Sequence, residues 1–265
     1  MPVFDTIAQT YDQDFTLSRA GILQRDVVIN YLDKHLPAHH PFHILELGCG
    51  TGEDAVDLAG KGHNVIATDI SAQMIEQSKK KASRAKLSGQ LQFEILDMQQ
   101  LGQKHYGTLF NLIYTNFGAL NCLSEEKLAD LFKSAADNLE REGRFIGVVM
   151  PRYCFWESIY FILKGRWSEV FRRRKRDGVP VRLGTSLSRT WYYSPRDIRR
   201  LSGKYFEMIR LRPVGFFLPP SYLDPFFNRK LSLLNILKKM EKSISGCSLL
   251  SGSSDHFIFE LKRKE

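Results

Sequence analysis

The stretch ILELGCGTGE, from Ile44 to Glu53, sets three glycines at alternate positions, Gly48, Gly50 and Gly52, directly behind a run that reads as a buried strand. Glycine permits a positive φ and a tight turn, and the missing Cβ lets another group approach the main chain. Free N–H groups at the start of the following helix then point at that group. The alternative, a sharp strand-to-helix turn with no ligand, is disfavoured by the acidic strand ends downstream. A dinucleotide fingerprint needs its third glycine at position 53, where Glu53 stands, so NAD is disfavoured as well. The next apolar run, VIATDI, ends in Asp69, at about the distance where an acid reaches a ribose and accepts hydrogen bonds from both vicinal hydroxyls.

Apolar runs bounded by turn residues recur at 43–47, 63–70, 91–96, 110–116 and 144–150. Between the last two, Leu128, Leu131, Phe132, Ala135 and Leu139 recur at steps of three and four and form one buried helical face. Ser124 reads as its N-cap, Glu125 and Glu126 fill its first turn, and Gly143 follows its end. Alternating strands and helices imply a parallel sheet covered on both faces, with ligands beyond the carboxyl ends of the strands. Residues 205–214 and 255–263 read as two further strands, and Ser194 with Pro195 as the start of a helix.

In combination, ELGCGTGE, ATDIS with Met74 after it, and LDMQQL resemble the successive motifs of the class I S-adenosylmethionine-dependent methyltransferases. The opening FDTIAQTYDQDF is similar to the N-terminal segment of the small-molecule branch of that superfamily. The resemblance covers residues 4–150 well and 190–262 loosely. It implies an α/β fold: a Rossmann-like, doubly wound, seven-stranded, mostly parallel sheet with an antiparallel last strand, plus a lid insertion after strand five. It also implies S-adenosyl-L-methionine as cofactor. By the same resemblance Gly48, Cys49, Gly50 and Gly52 face the methionine part, Asp69 with Ile70 binds the ribose, Asp97 with Met98 meets the adenine, and Glu46 also belongs to the cofactor-binding set. Asp97 has a second reading as a helix cap. Met74 reads as core filling that also brushes the adenine, and Tyr11 covers the cofactor from outside. Asn116 and Phe117 stand at the end of the fourth strand beside the expected sulfonium, where an ordinary loop is the competing reading. This chain has Asn111 where the family often carries an acid.

Residues 1–150 are then the cofactor-binding core, 151–190 a substrate lid, and 191–265 the completion of the sheet with a second cover at about 216–250. Asn121, Tyr153, Trp156 and Tyr192 are the candidate substrate residues. The first 150 residues carry 14 Lys and Arg against 19 Asp and Glu, a net of −5, whereas residues 151–265 carry 24 against 10, a net of +14. Such a surplus is more often a solvated surface than a binding surface. For the apolar end of 151–176 and its cluster Arg172–Arg176, three purposes compete: core packing, a hydrophobic substrate pocket, or peripheral contact with an anionic membrane.

The expected activity is in-line methyl transfer to a small, hydrophobic metabolite or lipid-like acceptor, a reaction that needs alignment and exclusion of water but no metal. Nucleic acid is disfavoured as a partner because no RNA-binding motif is present and the first half is acidic. A nucleic-acid methyltransferase and a non-catalytic cofactor-binding scaffold are the alternatives. His105, His256, Glu157, Tyr153, Tyr192 and Tyr193 are candidate bases with no diagnostic constellation among them. The four cysteines include no CxxC pair and read as free thiols, which argues against zinc. No apolar run reaches about 18 residues and the first residues lack a basic n-region, so the expected compartment is the cytoplasm. The acceptor molecule and the oligomeric state stay open.

Overall fold

Five of the apolar runs become parallel strands in the computed structural model, which describes residues 2–36, 40–87, 89–184, 186–220, 223, 227 and 230–265. In chain order the elements are α1 (Arg19–His35), β1 (His43–Leu47), α2 (Glu53–Gly60), β2 (Asn64–Asp69), α3 (Ala72–Ala82), β3 (Leu91–Ile95), β4 (Phe110–Thr115), α4 (Glu125–Asn138) and β5 (Leu139–Val149). Then come α5 (Phe155–Leu163), β6 (Val179–Leu183), β7 (Ser186–Thr190), α6 (Pro195–Ser202), β8 (Phe206–Val214), α7 (Leu231–Ser243) and β9 (His256–Arg263). Seven strands form one sheet in the order β3-β2-β1-β4-β5-β9-β8, and β6 and β7 form a separate hairpin. β9 runs antiparallel to both its neighbours, and the other pairings with β1, β2 and β4 are parallel.

Strand side chains alternate between faces, so each buried strand feeds two cores. Leu45, Ile113, Phe257 and Phe259 pack on one side with Phe132 of α4, while Ile44, Leu112 and Ile258 pack on the other with Val28 and Tyr31 of α1. Serines start four of the helices, and Ser18 accepts from Gly21 N at 3.0 Å at the start of α1. Ser71 accepts from Met74 N at 3.1 Å, Ser124 caps α4, and Ser194 with Asp197 forms a reciprocal capping box behind Pro195. The strand order reverses between β1 and β4, and the loops after these two strands diverge to leave a crevice at their carboxyl ends.

One boundary differs from the sequence reading. β5 begins at Leu139, immediately after α4, and not at residue 144. The turn expected around Gly143 is absorbed as an irregularity: Glu142 takes a φ of 67°, and the β4–β5 register shifts between Phe110 and Leu112. The basic cluster also fails to form a single solvated face. Arg172 and Arg173 turn inward onto Glu157 of α5, which leaves Arg174, Lys175 and Arg176 exposed. That inward turn removes two of the five charges on which a membrane-facing cluster depended. Among the described residues no helix is long and apolar enough to cross a membrane.

The insertion at 151–190 consists of α5, two short helical turns and the β6–β7 hairpin, which packs against the N-terminal turn Val3–Ile7. In the expected second cover, Phe227, Leu234 and Leu237 pack with Leu23, Trp156 and Phe217. Residues 221, 222, 224–226, 228 and 229 of that cover lie outside the described residues. Glu241 of α7 accepts N–H groups from Gly215 at 2.8 Å and Phe217 at 2.7 Å, which anchors the cover to the end of β8.

Gly147 shows how tight the sheet is where β5 meets β9. It pairs with Phe259, and a Cβ at this position would lie 2.4 Å from the Phe259 ring. Overpacking of this kind costs about 1–3 kcal/mol. Gly147→Ala should therefore lower unfolding stability by that amount in urea titration, with an unchanged denaturant slope.

Candidate functional site

The crevice between β1 and β4 is walled by the loops after four parallel strands and roofed by the N-terminal segment. Gly48, Cys49, Gly50 and Thr51 form one wall, Asp69 and Ile70 a second, Leu96–Gln99 a third, and Asn116–Ala119 a fourth. Phe4, Tyr11 and Thr16 cover it, and Arg25 reaches in from α1. Hydrogen bonds fasten this roof. Asp5 accepts from the Ser71 hydroxyl, Asp12 accepts from Thr51 Oγ1 at 2.6 Å, and Lys81 Nζ stands 2.9 Å from Asp12 Oδ2.

The three alternate glycines prove to have separate reasons. All have positive φ, but a Cβ on Gly48 would meet Ala119 Cβ at 2.6 Å, and one on Gly52 would meet Ser78 Cβ at 2.5 Å. Those two positions are closed by the protein itself. At Gly50 the nearest atom to an added Cβ is Tyr11 Cε1 at 3.9 Å, so this backbone lies open to the crevice.

Five acidic side chains line the crevice, and four of them, Glu46, Asp54, Asp69 and Asp97, stand in different states. Asp69 accepts N–H groups from Gly50 at 2.9 Å and Ser71 at 2.8 Å, one on each oxygen, and each oxygen keeps a lone pair for a ligand. Burial raises its pKa, against the pull of those two donors. Glu46 is 2% exposed, and its Oε2 has no hydrogen-bond partner. Burial, with the Asp54 carboxylate nearby, pushes Glu46 well above the carboxylate range. Asp54, in the first turn of α2, is paired with Arg25 and accepts from Asn116 Nδ2 at 2.5 Å and Tyr114 Oη at 3.1 Å. Asp97 accepts from Gln99 N at 2.9 Å and so caps the helical turn after β3 while also lining the crevice. The cap reading of Asp97 therefore holds, and its place on the crevice wall leaves it within reach of a ligand.

A second cavity of about 450 Å³ adjoins the first, and Phe4, Tyr11, Arg25, Phe117 and Gly118 line both. Phe117 stands at the junction with a φ of 32°, its N–H held by Asn116 Oδ1 at 2.9 Å. The Arg25 guanidinium lies 5.3 Å from its ring centroid, and the His256 ring meets it edge-on, also at 5.3 Å. Val181, Leu183 and Met150 supply apolar walls, and Glu157, Arg172, Arg173, Tyr192, Asp255 and His256 form a polar end.

Residues 44–143 match a family model described as a methyltransferase domain. That segment is a methyltransferase domain, and the fold around it is that of the class I S-adenosylmethionine-dependent methyltransferases. Among curated relatives it is 34% identical over 92 residues to the tRNA 5-carboxymethoxyuridine methyltransferase of Escherichia coli, covering 34% of this chain and 35% of that protein. It is 40% identical over 65 residues to the magnesium-protoporphyrin O-methyltransferase of Rhodobacter capsulatus, covering 24% of this chain and 29% of that one. The matches thus span about a third of these relatives' length. Over nearly the whole chain the fold is shared. The CcbJ methyltransferase of Streptomyces caelestis superposes with a TM-score of 0.62 at 15% identity, covering 99% of this chain and 98% of that one. The magnesium protoporphyrin IX methyltransferase of Synechocystis, crystallised with SAH, superposes with a TM-score of 0.58 at 17% identity, covering 98% and 94%.

For this methyltransferase domain, the crevice brings together Tyr11, Glu46, Gly48, Cys49, Gly50, Asp69, Ile70, Met74, Asp97, Met98, Asn116 and Phe117. Gly52 stands behind it, against α3. Of the expected substrate residues only Tyr192 lines the second cavity. Asn121 is fully buried and clamps the chain, bonding Met150 through both its N–H and C=O and the Trp191 carbonyl besides. Trp156 packs edge-on against Phe227 at 5.7 Å, and Tyr153 lines neither cavity. Sequence reading missed Arg25, Asp54 and Asp255, which belong to no local motif, and took Arg173 only as one member of the basic cluster Arg172–Arg176.

Two carboxyl groups of the polar end make its stability acid-sensitive. Burial alone would raise Asp255, but His256, Arg173 and Gln24 bring it well below its ordinary range. Glu157 behaves alike: burial is outweighed by Arg172 and Arg173, and its pKa falls. For depressed carboxyls the stabilisation is complete above the unfolded pKa, about 4, and is lost as protonation proceeds through the folded values. Unfolding free energy should therefore drop as pH falls below about 4. The Glu157→Gln variant should be less stable at neutral pH and show a flatter acid limb in chemical denaturation.

Proposed function

We propose that the chain transfers the methyl group of S-adenosylmethionine to a small, largely apolar acceptor held in the second cavity. The observation that carries this reading is the shared wall: Phe117, Arg25 and Tyr11 line both the motif-bearing crevice and the acceptor-sized cavity beside it. Volumes of about 300–1,000 Å³ are typical of small-molecule sites.

The crevice residues fit the cofactor. Glu46 presents a buried carboxylate oxygen without a partner, the chemical complement of the ammonium of the methionine part. Asp69 has one free lone pair on each oxygen for the ribose hydroxyls, and Leu96, Met98 and Ile70 offer apolar surface for the adenine beside Asp97. When bound, the cofactor supplies a methyl group already activated by positive sulfur. The chain's share is alignment and dryness: the N-terminal roof and the 151–190 insertion close the two cavities.

A second reading, transfer to a nucleic-acid base, draws support from the tRNA-modifying relative and the basic second half. The small-molecule reading is favoured because residues of the insertion line the cavity, with Arg172 and Arg173 turned inward and engaged.

Asp69→Ala should weaken S-adenosylmethionine binding by roughly 1.5–3 kcal/mol, the value of hydrogen bonds to a charged group, without unfolding the protein. Unchanged calorimetric affinity in the folded variant would remove Asp69 from the site. Glu46 generates a separate expectation. Burial raises its pKa in the empty site and an arriving ammonium favours the ionised form, so cofactor binding should release protons within the pH range of the Glu46 titration and tighten as pH rises through it. Calorimetry in buffers of different ionisation enthalpy should detect the release in the parent protein and lose it in Glu46→Gln.

A further inference from the structure

We propose that His256 is the proton acceptor of this site, positioned by Asp255, and that the second cavity takes a neutral acceptor whose nucleophile is a weakly acidic hydroxyl of the phenol or enol kind. The proposal rests on the methyl-transfer reading above and adds the base and the acceptor class.

Placement comes first. His256 opens β9 at the wall of the second cavity, edge-on to Phe117, the residue shared with the cofactor crevice. A group bound against this ring therefore lies at the junction where a methyl group has to pass. His256 Nδ1 stands 3.4 Å from Asp255 Oδ2 and has no formed hydrogen bond. Catalytic contacts are commonly long before substrate binds and tighten with it. Asp255 is fixed from two further sides, by Gln24 Nε2 at 3.2 Å and Arg173 Nη2 at 3.2 Å. A carboxylate beside Nδ1 favours the tautomer with its proton there, which leaves the Nε2 lone pair for a ligand.

The other titratable groups around the cavity are unsuited to the task. Burial raises the Tyr11 phenol to about 12 and also raises Tyr192, so both keep their protons. Glu157 is held as a carboxylate by Arg172 and Arg173, which occupy both its oxygens.

Charge balance then identifies the acceptor. Among the described residues lining the cavity the cations are Arg25, Arg172 and Arg173, and Arg25 is matched by Asp54. Arg172 and Arg173 are matched by Glu157 and Asp255. No cation is left over to compensate a buried carboxylate or phosphate, so an anionic acceptor would lose its hydration without replacement. A neutral hydroxyl enters without that cost, but it must shed a proton on methylation. In the step, the hydroxyl proton passes to Nε2 while the oxygen lone pair forms the new O–CH3 bond. The S–CH3 bond breaks with its electron pair kept by sulfur, and the imidazolium faces Asp255 until it gives the proton to water.

The test uses para-nitrophenol, whose anion is yellow, with the full chain saturated by S-adenosylhomocysteine. Its affinity for each protein is measured separately by calorimetry. The bound phenol should ionise at lower pH than the free phenol, with about tenfold more anion at a fixed pH on the acid side, equivalent to one pKa unit. His256→Gln should abolish that shift while still binding both the probe and S-adenosylhomocysteine, and Asp255→Asn should reduce it. Para-nitrobenzoate should bind at least about tenfold more weakly than the phenol. The proposal is overturned if the wild type does not bind the phenol, if the bound phenol titrates like the free one, if His256→Gln preserves the shift, or if the benzoate binds as well. Failure of S-adenosylhomocysteine itself to bind the wild type would instead overturn the methyl-transfer reading, and the proposal with it.

Discussion

The site depends on one buried carboxylate. Asp54 sits in the first turn of α2, where the helix end favours an anion, but its burial at 4% exposure demands partners. It finds them on two other elements: Arg25 from α1, and Tyr114 and Asn116 from the end of β4. The consequences run outward. Asn116, with its amide held by Asp54, turns its oxygen to the Phe117 N–H and supports a backbone conformation that a non-glycine residue rarely adopts. Arg25, neutralised, lays its guanidinium over the Phe117 ring. The wall between the two cavities thus follows from the need to satisfy one charge.

A second charge cluster does for the insertion what Asp54 does for the crevice. Arg173 is 5% exposed and bonds Glu157 of α5, together with the carboxylate and the carbonyl of Asp255 at the start of β9. This ties a segment outside the main sheet to its last strand through charge-assisted bonds, whose geometry is more specific than apolar contact. The interior of the second cavity is left electrically balanced. Part of the basic surplus of the second half is consequently internal, and it cannot be counted as surface available to a polyanion.

The N-terminal roof is joined by weaker means. Asp5 meets Ser71 at the start of α3, and Asp12 meets Thr51 and Lys81. These are short polar contacts on partly exposed residues, individually modest in free energy. Segments held in this way open at lower cost than the sheet beneath them, which suits a roof that must admit and release a cofactor-sized molecule.

The strands β1 to β4, helix α4 with its serine cap, the capping box at Ser194 and the antiparallel β9 were legible in the sequence. Each is written in local signals: a period of two or 3.6, a cap, a turn glycine. The motif residues that share the crevice were legible for the same reason, since each lies at the end of its own strand and the sheet order brings those ends together. Less was legible wherever a residue's role depends on a partner far along the chain. Asn121 looked like a site residue because it follows β4, yet it clamps Met150 and Trp191. Trp156 looked like a pocket aromatic and packs on Phe227. Gly48 and Gly52 are glycines because Ala119 and Ser78 crowd them, whereas at Gly50 the space for a Cβ is open. The sequence by itself determined the elements, the sheet and the motifs that line the crevice. Only the tertiary structure decided that Arg25 meets Asp54, that Arg173 meets Asp255, and that His256 meets Phe117, because such pairings are set by packing across 29 to 139 residues of chain, where no local period carries information.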